Sequence, residues 1–224
     1  MTTDIKGNIK RISDELPVGV KLVAVSKFHP VEALKEAYAA GQRIFGESRA
    51  QEIQVKHPAM PADVEWHFIG HLQTNKVRAL VPYVTLIHSV DSVKLLNCIN
   101  DEAKRIGRVV DVLLQLHVAK EETKFGMTHD ECVELVESGA IAELKNVRVR
   151  GVMGMATNTD DMEEVRKEFK AIKATFDELK SRCFAGCDYF SEISMGMSDD
   201  YHIAIEEGST LVRIGTSIFG QREY

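Results

Sequence analysis

The sequence predicts an α/β protein built as a (β/α)8 barrel of the TIM type, with one extra helix at its N-terminus. Three observations lead there. Short β-branched runs alternate with longer stretches whose apolar residues recur every three or four positions, and there are eight such runs, the number that closes a barrel of parallel strands. The joints between them carry helix-starting and helix-ending residues. No G-x-G-x-x-G occurs, and an open doubly wound sheet, the rival arrangement, usually carries that turn after its first strand.

In chain order, residues 3–15 read as the extra helix, set outside the repeat to plug or flank the bottom of the barrel. The first strand, at 21–26, leads to a helix at 30–40 that Gly41 ends. Strands at 43–46, 64–69 and 85–89 follow, with helices at 48–56, 73–81 and 92–106, the last ended by Gly107. The fifth strand spans 109–117, and Thr128 caps a helix at 128–137 that Gly139 closes. A strand at 147–155 precedes a helix at 160–181, capped by Thr159 or Asp160, whose alternating charges read as a solvated face with i, i+4 pairs. A strand at 189–194, a helix at 199–207 ended by Gly208, and a strand at 210–214 complete the count.

Composition narrows the function. At 224 residues, 44% hydrophobic and 28% charged, the chain lies in the ordinary globular range, and one domain over 1–224 is expected. A net charge of −6 has the wrong sign for gripping nucleic acid phosphates over a broad surface. The most apolar run, 109–118, is broken by Asp111, Gln115 and His117 and falls far short of the roughly 18 residues that span a bilayer. Charges are scattered from Asp4 onward, unlike a signal peptide, so a cytoplasmic protein with no membrane attachment is expected. The four cysteines do not form a disulfide framework, and Cys183 and Cys187 lack two further ligands at matching spacing, so no metal is expected.

Lys27 ends the apolar run VAVSK, at the carboxyl end of the first strand, on the face where such barrels keep their sites. Partial desolvation there would leave more of its amine neutral and nucleophilic, able to form a Schiff base. A lysine that merely ends a strand and reaches into water is the plainer reading of that one residue. The last quarter adds weight. Ser194, Gly196 and Ser198 follow the seventh strand, and Gly215, Thr216 and Ser217 follow the eighth, gathering small residues and hydroxyls where a barrel binds phosphate. Gly215 and Gly220 have the spacing of a P-loop's glycines, but Gln221 and Arg222 stand where Lys and Ser or Thr belong. Arg213, inside an apolar strand, needs either a ligand or an internal partner such as Glu192 or Glu206. His67 and His71 are four apart but separated by strand and Gly70, so they read as packing or hydrogen-bonding histidines.

The runs VAVSK, FGES, WHFIGHLQTNK, VRGVMGMAT and SMGMSDD, with the ending GSTLVRIGTSIFG, closely resemble the YggS/PROSC family of pyridoxal-phosphate homeostasis proteins, from about Leu16 to Tyr224. The resemblance implies the barrel of bacterial alanine racemase, with pyridoxal 5′-phosphate held by Lys27. It assigns the phosphate to Ser194, Gly215 and Thr216, with Gly196 beside them, sets Arg213 against the pyridine nitrogen, and lines the pocket with Met153 and Ser48. The family commonly has Asn where Ser48 stands, and Ser keeps the hydrogen-bonding capacity with a shorter reach. An arginine there discourages protonation of the ring nitrogen and weakens carbanion chemistry. A racemase also needs a second acid or base, which the alanine racemases take from an added domain. Tyr201, the tyrosine nearest the SMGMSDD turn, reads as the start of a helix instead. The expected function is cofactor storage, buffering or delivery to apo-enzymes by a monomer without robust turnover. The alternative is a small pyridoxal-phosphate enzyme such as a racemase, and a module acting by protein contact is a further one.

Overall fold

The computed structural model describes residues 3–121 and 125–221, so Arg222 and Tyr224 lie outside the described residues. Helix α1 (Ile5–Glu15) precedes eight strands: β1 (Lys21–Val25), β2 (Ile44–Glu47), β3 (Glu65–Phe68), β4 (Leu86–Val90), β5 (Val110–Leu116), β6 (Val147–Gly154), β7 (Glu192–Ser194) and β8 (Leu211–Ile214). Between them run α2 (Val31–Ala39), α3 (Ala50–Lys56), α4 (Thr74–Leu80), α5 (Val93–Arg105), α6 (His129–Glu137), α7 (Met162–Arg182) and α8 (Tyr201–Glu206). A short α9 (Thr216–Phe219) follows β8. Every strand pairs in parallel with its successor and β8 returns to β1, so the sheet closes into the expected (β/α)8 barrel.

Burial explains the closure. Strand residues alternate between two cores: one, outside the sheet, packs Ala24, Phe45, Trp66, Phe68, Ile87 and Val112 against the apolar stripes of the helices. The other is a small cluster inside the barrel, Val23, Leu86, Leu113, Met153 and Leu211. Gly41, Gly107, Gly139 and Gly208 all take positive φ after their helices, as their positions suggest. Thr128 caps α6 in a reciprocal box with Glu131.

Several expectations need correcting. The strand expected from residue 189 begins at Glu192, because Lys180 on α7 donates to the carbonyls of Cys187 and Phe190 and holds that segment off the sheet. The N-cap of α7 is Asp161, which accepts from Glu163 and Glu164 N–H, while Thr159 accepts from Asp161 N–H. The charged face of α7 does carry i, i+4 pairs, Lys173 to Asp177 and Arg182 to Glu178, but Glu168 is buried and accepts from both the amide and the hydroxyl of Thr157. The extra helix does not plug the bottom. Its Ile5, Ile9 and Ile12 are buried, Asn8 donates to the Ile218 carbonyl, and Glu15 accepts from Tyr201 Oη, so α1 flanks the elements that follow β7 and β8. Four residues read as a turn, Thr216–Phe219, form α9.

One residue of β6 shows how tightly the wall is closed. Gly151 has φ of +153°, and a Cβ there would stand 1.8 Å from the Glu192 carbonyl oxygen. Gly151→Ala is expected to cost at least about 3 kcal/mol in urea unfolding. Gly107→Ala, with φ of +67° but open space around it, is expected to cost about 1 kcal/mol of backbone strain only.

Candidate functional site

The two ends of the barrel differ in chemistry. At the N-terminal ends of the strands, ion pairs close the floor: Lys21 to Glu192 (2.5 Å), and Arg148 and Arg150 to Asp111 (2.7 and 2.9 Å). They leave a cavity of about 80 Å³ lined by these groups with Glu65, Thr85 and His67. The other end leads to Lys27, Ser48, Met155 and Gly215, and it is the end at which barrels of this kind keep their sites.

Inside, a chain of hydrogen bonds crosses the barrel. His67 Nδ1 meets His88 Nε2 at 2.9 Å, and His88 Nδ1 meets Ser194 Oγ at 2.9 Å. Arg213 donates to that same Ser194 Oγ at 2.6 Å and to the Gly154 carbonyl at 3.1 Å. These residues come from β3, β4, β7 and β8, and they meet because each occupies an inward position of its strand. Burial, and then the Lys21 charge, pushes His67 down to about 3. His88 is well below its ordinary value through burial, with His67 and Arg213 adding to it. Both imidazoles are neutral, so each passes one proton along the chain. Arg213 is lowered to about 10 by burial, against the charge of Asp200, and remains a cation whose hydrogen bonds go to neutral oxygens. The alternative ion pair is not formed: Glu192 pairs with Lys21 and Arg150, and Glu206 with Arg166.

Lys27 is half-buried, two residues beyond Val25, in the turn that follows β1. Both peptides flanking it are held from α3. The Ser26 carbonyl accepts from Lys56 Nζ (3.0 Å), and the Phe28 N–H donates to Glu52 (2.8 Å). Lys56 Nζ also donates to Glu47 (2.8 Å) and Glu52 (2.7 Å), and Ser26 Oγ donates to Glu47 (2.6 Å). Burial pushes the Glu47 carboxyl up to about 7 despite the attraction of Lys56. Glu52 is also raised by burial, but its bonds from Lys56 and Phe28 N–H outweigh this and leave it below the ordinary range. Each carboxyl keeps one buried oxygen that no conventional donor reaches, and the two groups are within hydrogen-bonding range of each other. Because burial raises Glu47 and the bonds from Lys56 and Phe28 N–H lower Glu52, the proton of the pair favours Glu47 and the negative charge facing Lys56 favours Glu52.

The remaining residues singled out from the sequence fall around the same end. Gly196 has φ of +93°, and a Cβ there would meet Ala204 Cβ at 2.6 Å; its carbonyl accepts from Arg213 N–H at 2.9 Å. Gly215 lies against Val25, with 3.1 Å from its would-be Cβ to the Val25 carbonyl oxygen, and Thr216 beside it is exposed. Ser194 is fully buried. Ser48 is half-buried and backs onto Gly70, where a Cβ would come within 2.4 Å of the Ser48 carbonyl oxygen. Met153 belongs to the apolar cluster inside the barrel. His71 stacks on Phe125 (3.7 Å) and faces Asp91 (3.5 Å), away from the chain that His67 joins. Among the described residues no His, Cys, Asp or Glu cluster could hold a metal ion. Sequence reasoning passed over His88, Glu47, Glu52 and Lys56. Glu47 stood within the quoted FGES run, and Glu52 and Lys56 are four apart on one helix, so a charge pairing across that turn was available to be read.

Comparison with known proteins gives the class of barrel first. A family model described as alanine racemase, N-terminal domain, matches residues 2–223. The chain is 42% identical over 205 residues to the pyridoxal phosphate homeostasis protein of Aquifex aeolicus, covering 91% of this chain and 88% of that one. It is 34% identical to that of Escherichia coli over 235 residues, with 99% and 98% covered. The chain belongs to this family, among its pyridoxal phosphate homeostasis proteins. In structure it is similar to PipY of Synechococcus elongatus, solved without PLP (TM-score 0.91, 35% identity, 97% of this chain and 100% of that one) and with PLP bound (TM-score 0.86, 36% identity, the same coverage). Alanine racemase of Clostridium difficile shares the fold at 16% identity and a TM-score of 0.76, over 99% of this chain and 57% of that one.

The carboxyl pair beneath Lys27 gives a pH signature. Glu47 binds its proton more tightly folded than unfolded, so its stabilising contribution is complete below about 4.5, its ordinary value, and is lost as pH rises through about 7. Glu47→Gln keeps the neutral form at every pH. The stability of the wild type relative to Glu47→Gln, from urea unfolding at stepped pH, is expected to fall across that window. A flat difference would place the proton elsewhere.

Proposed function

We propose that this protein binds pyridoxal 5′-phosphate at the C-terminal end of its barrel and serves in its homeostasis, by storage, buffering or delivery, without robust turnover. The observation that carries the reading is a lysine amine and a buried arginine at one end of the barrel, the arginine bonded only to neutral oxygens. The residues present fit the group. Lys27 offers a primary amine to the aldehyde, and Arg213 offers a cation to the ring nitrogen. Gly196 and Gly215 let the two turns pack closely on Ala204 and Val25, and Thr216 sets an exposed hydroxyl beside Gly215. Ser194 joins these to Arg213 through its hydroxyl, with Ser48 and Met153 completing the lining.

Bound there, the cofactor would supply a reactive aldehyde, and Lys27 would hold it through its amine. The protein's own residues favour holding over turnover. Arg213 stays charged at neutral pH, so it has no basic lone pair to offer and opposes a proton on a ring nitrogen facing it. Tyr201 gives its hydroxyl proton to Glu15 at 2.6 Å and is pushed up to about 12, by burial and then by Glu15, which unsuits it as an acid or base at pH 7. The same reading takes the chain as a single cytoplasmic domain acting as a monomer and passing cofactor to apo-enzymes. No helix among the described residues is long and apolar enough to cross a membrane.

Borohydride reduction of the loaded protein followed by peptide mapping is expected to label Lys27, and Lys27→Ala to remain folded but lose the label. A label mainly on another lysine defeats the assignment. Thr216→Val is expected to weaken pyridoxal 5′-phosphate binding by about 1.5–3 kcal/mol while leaving pyridoxal unaffected. Equal loss for both would move the phosphate away from this turn. With L-amino acids in deuterated water, α-proton exchange is expected to be slow. Rapid Lys27-dependent exchange of any one amino acid would establish the racemase-like alternative.

A further inference from the structure

We propose that Glu47, Glu52 and Lys56 are positioning residues for Lys27: by fixing the peptide groups on both sides of it, they aim its amine into the mouth of the barrel. The inference rests on the reading of Lys27 as the residue that holds the cofactor. A lysine as deeply buried as Lys56, 6% exposed, is tolerated only when its ammonium is fully satisfied, and here it finds three acceptors. Two are the carboxyls of its own β2–α3 unit, enough to settle the charge. The third is the Ser26 carbonyl, the peptide immediately before Lys27.

On the other side, Glu52 accepts from the amide of Phe28, whose φ of +69° is costly for a bulky residue and persists only where surroundings enforce it. Arg49, from the same unit, lies over the Phe28 ring at 4.7 Å. Ser26 is tied twice more, by its hydroxyl to Glu47 and by its carbonyl to the His29 amide. The Cα–Cβ direction of Lys27 is therefore set by bonds made to its neighbours. That matters because a lysine stem has four rotatable bonds, and an unfixed root spreads its amine over a wide volume and lowers its effective concentration at an aldehyde.

The test uses the full chain with Glu52→Ala, Glu52→Gln and Lys56→Met. The rate of borohydride-trapped attachment at Lys27 is compared with the affinity for 4-deoxypyridoxine 5′-phosphate, which carries a methyl group in place of the aldehyde and cannot bond to lysine. Attachment is expected to slow at least tenfold in Glu52→Ala and Lys56→Met, with affinity for the deoxy analogue within twofold of wild type. Glu52→Gln, which keeps an acceptor for the Phe28 amide, is expected to restore most of the rate. Glu52 is the least buried of the three at 19% side-chain exposure, so its variants carry the test if Lys56→Met fails to fold. A folded Glu52→Ala that attaches at the wild-type rate, or that loses both ligands equally, overturns the proposal. A wild-type label on a different lysine overturns the reading of Lys27 itself, and the clamp with it.

Discussion

A guanidinium shut inside a barrel without a bonded carboxylate costs several kcal/mol unless every donor finds an acceptor. Arg213 meets that cost in part with Ser194 Oγ, the Gly154 carbonyl and the nearby charge of Asp200, and much of the interior is arranged to permit it. Ser194 must sit on the inward parity of β7, and His88 must be neutral to share that hydroxyl without adding a second charge. His67 then completes the line toward the floor. Glu192 is spent on the floor and Glu206 on Arg166, which leaves Asp200 as the carboxylate whose charge acts on Arg213, without a hydrogen bond between them. The barrel thus separates its electrostatics by height, with ion pairs closing one end and, below the other, a buried cation that makes no hydrogen bond to a carboxylate.

That division fits a protein that retains a reactive aldehyde more readily than one that works on it. A site made for proton abstraction needs groups that gain and lose protons near neutrality beside the reacting atoms. The side chains lining this interior are held away from such exchange: the histidines are too acidic as cations, and Arg213 is too basic. The group near 7, Glu47, lies beneath the lysine turn and is engaged with Ser26 and Lys56.

The fold was legible because the barrel writes its period into the chain: eight β-branched runs, helices between them, and glycines at 41, 107, 139 and 208. What misled were tertiary ties that no local pattern carries. Lys180 holds residues 187–190 off the sheet, and the stripe of Ile5, Ile9 and Ile12 announces a helix without saying which flank it covers. For the site, Lys27 and Arg213 stood out as charges in apolar strands. His88 did not, since a histidine in the run LIHSV shows its inward direction only once β4 is paired, and Lys56 looked like any helical lysine until its burial was seen.

Helix α1 packs both on α2, the next helix along the chain, and on elements at its far end. Asn8 bonds to Ile218 and Glu15 to Tyr201, while β1 closes the sheet only against β8. During synthesis, then, α1 can pack on α2 early, while its bonds to Tyr201 and Ile218 and the closing of the sheet wait for nearly the whole polypeptide. Such long-range closure slows folding and prolongs the exposure of apolar surface and unpaired strand edges. The last strand is thus the latch of the sheet, and the short helices on either side of it are the latch of α1.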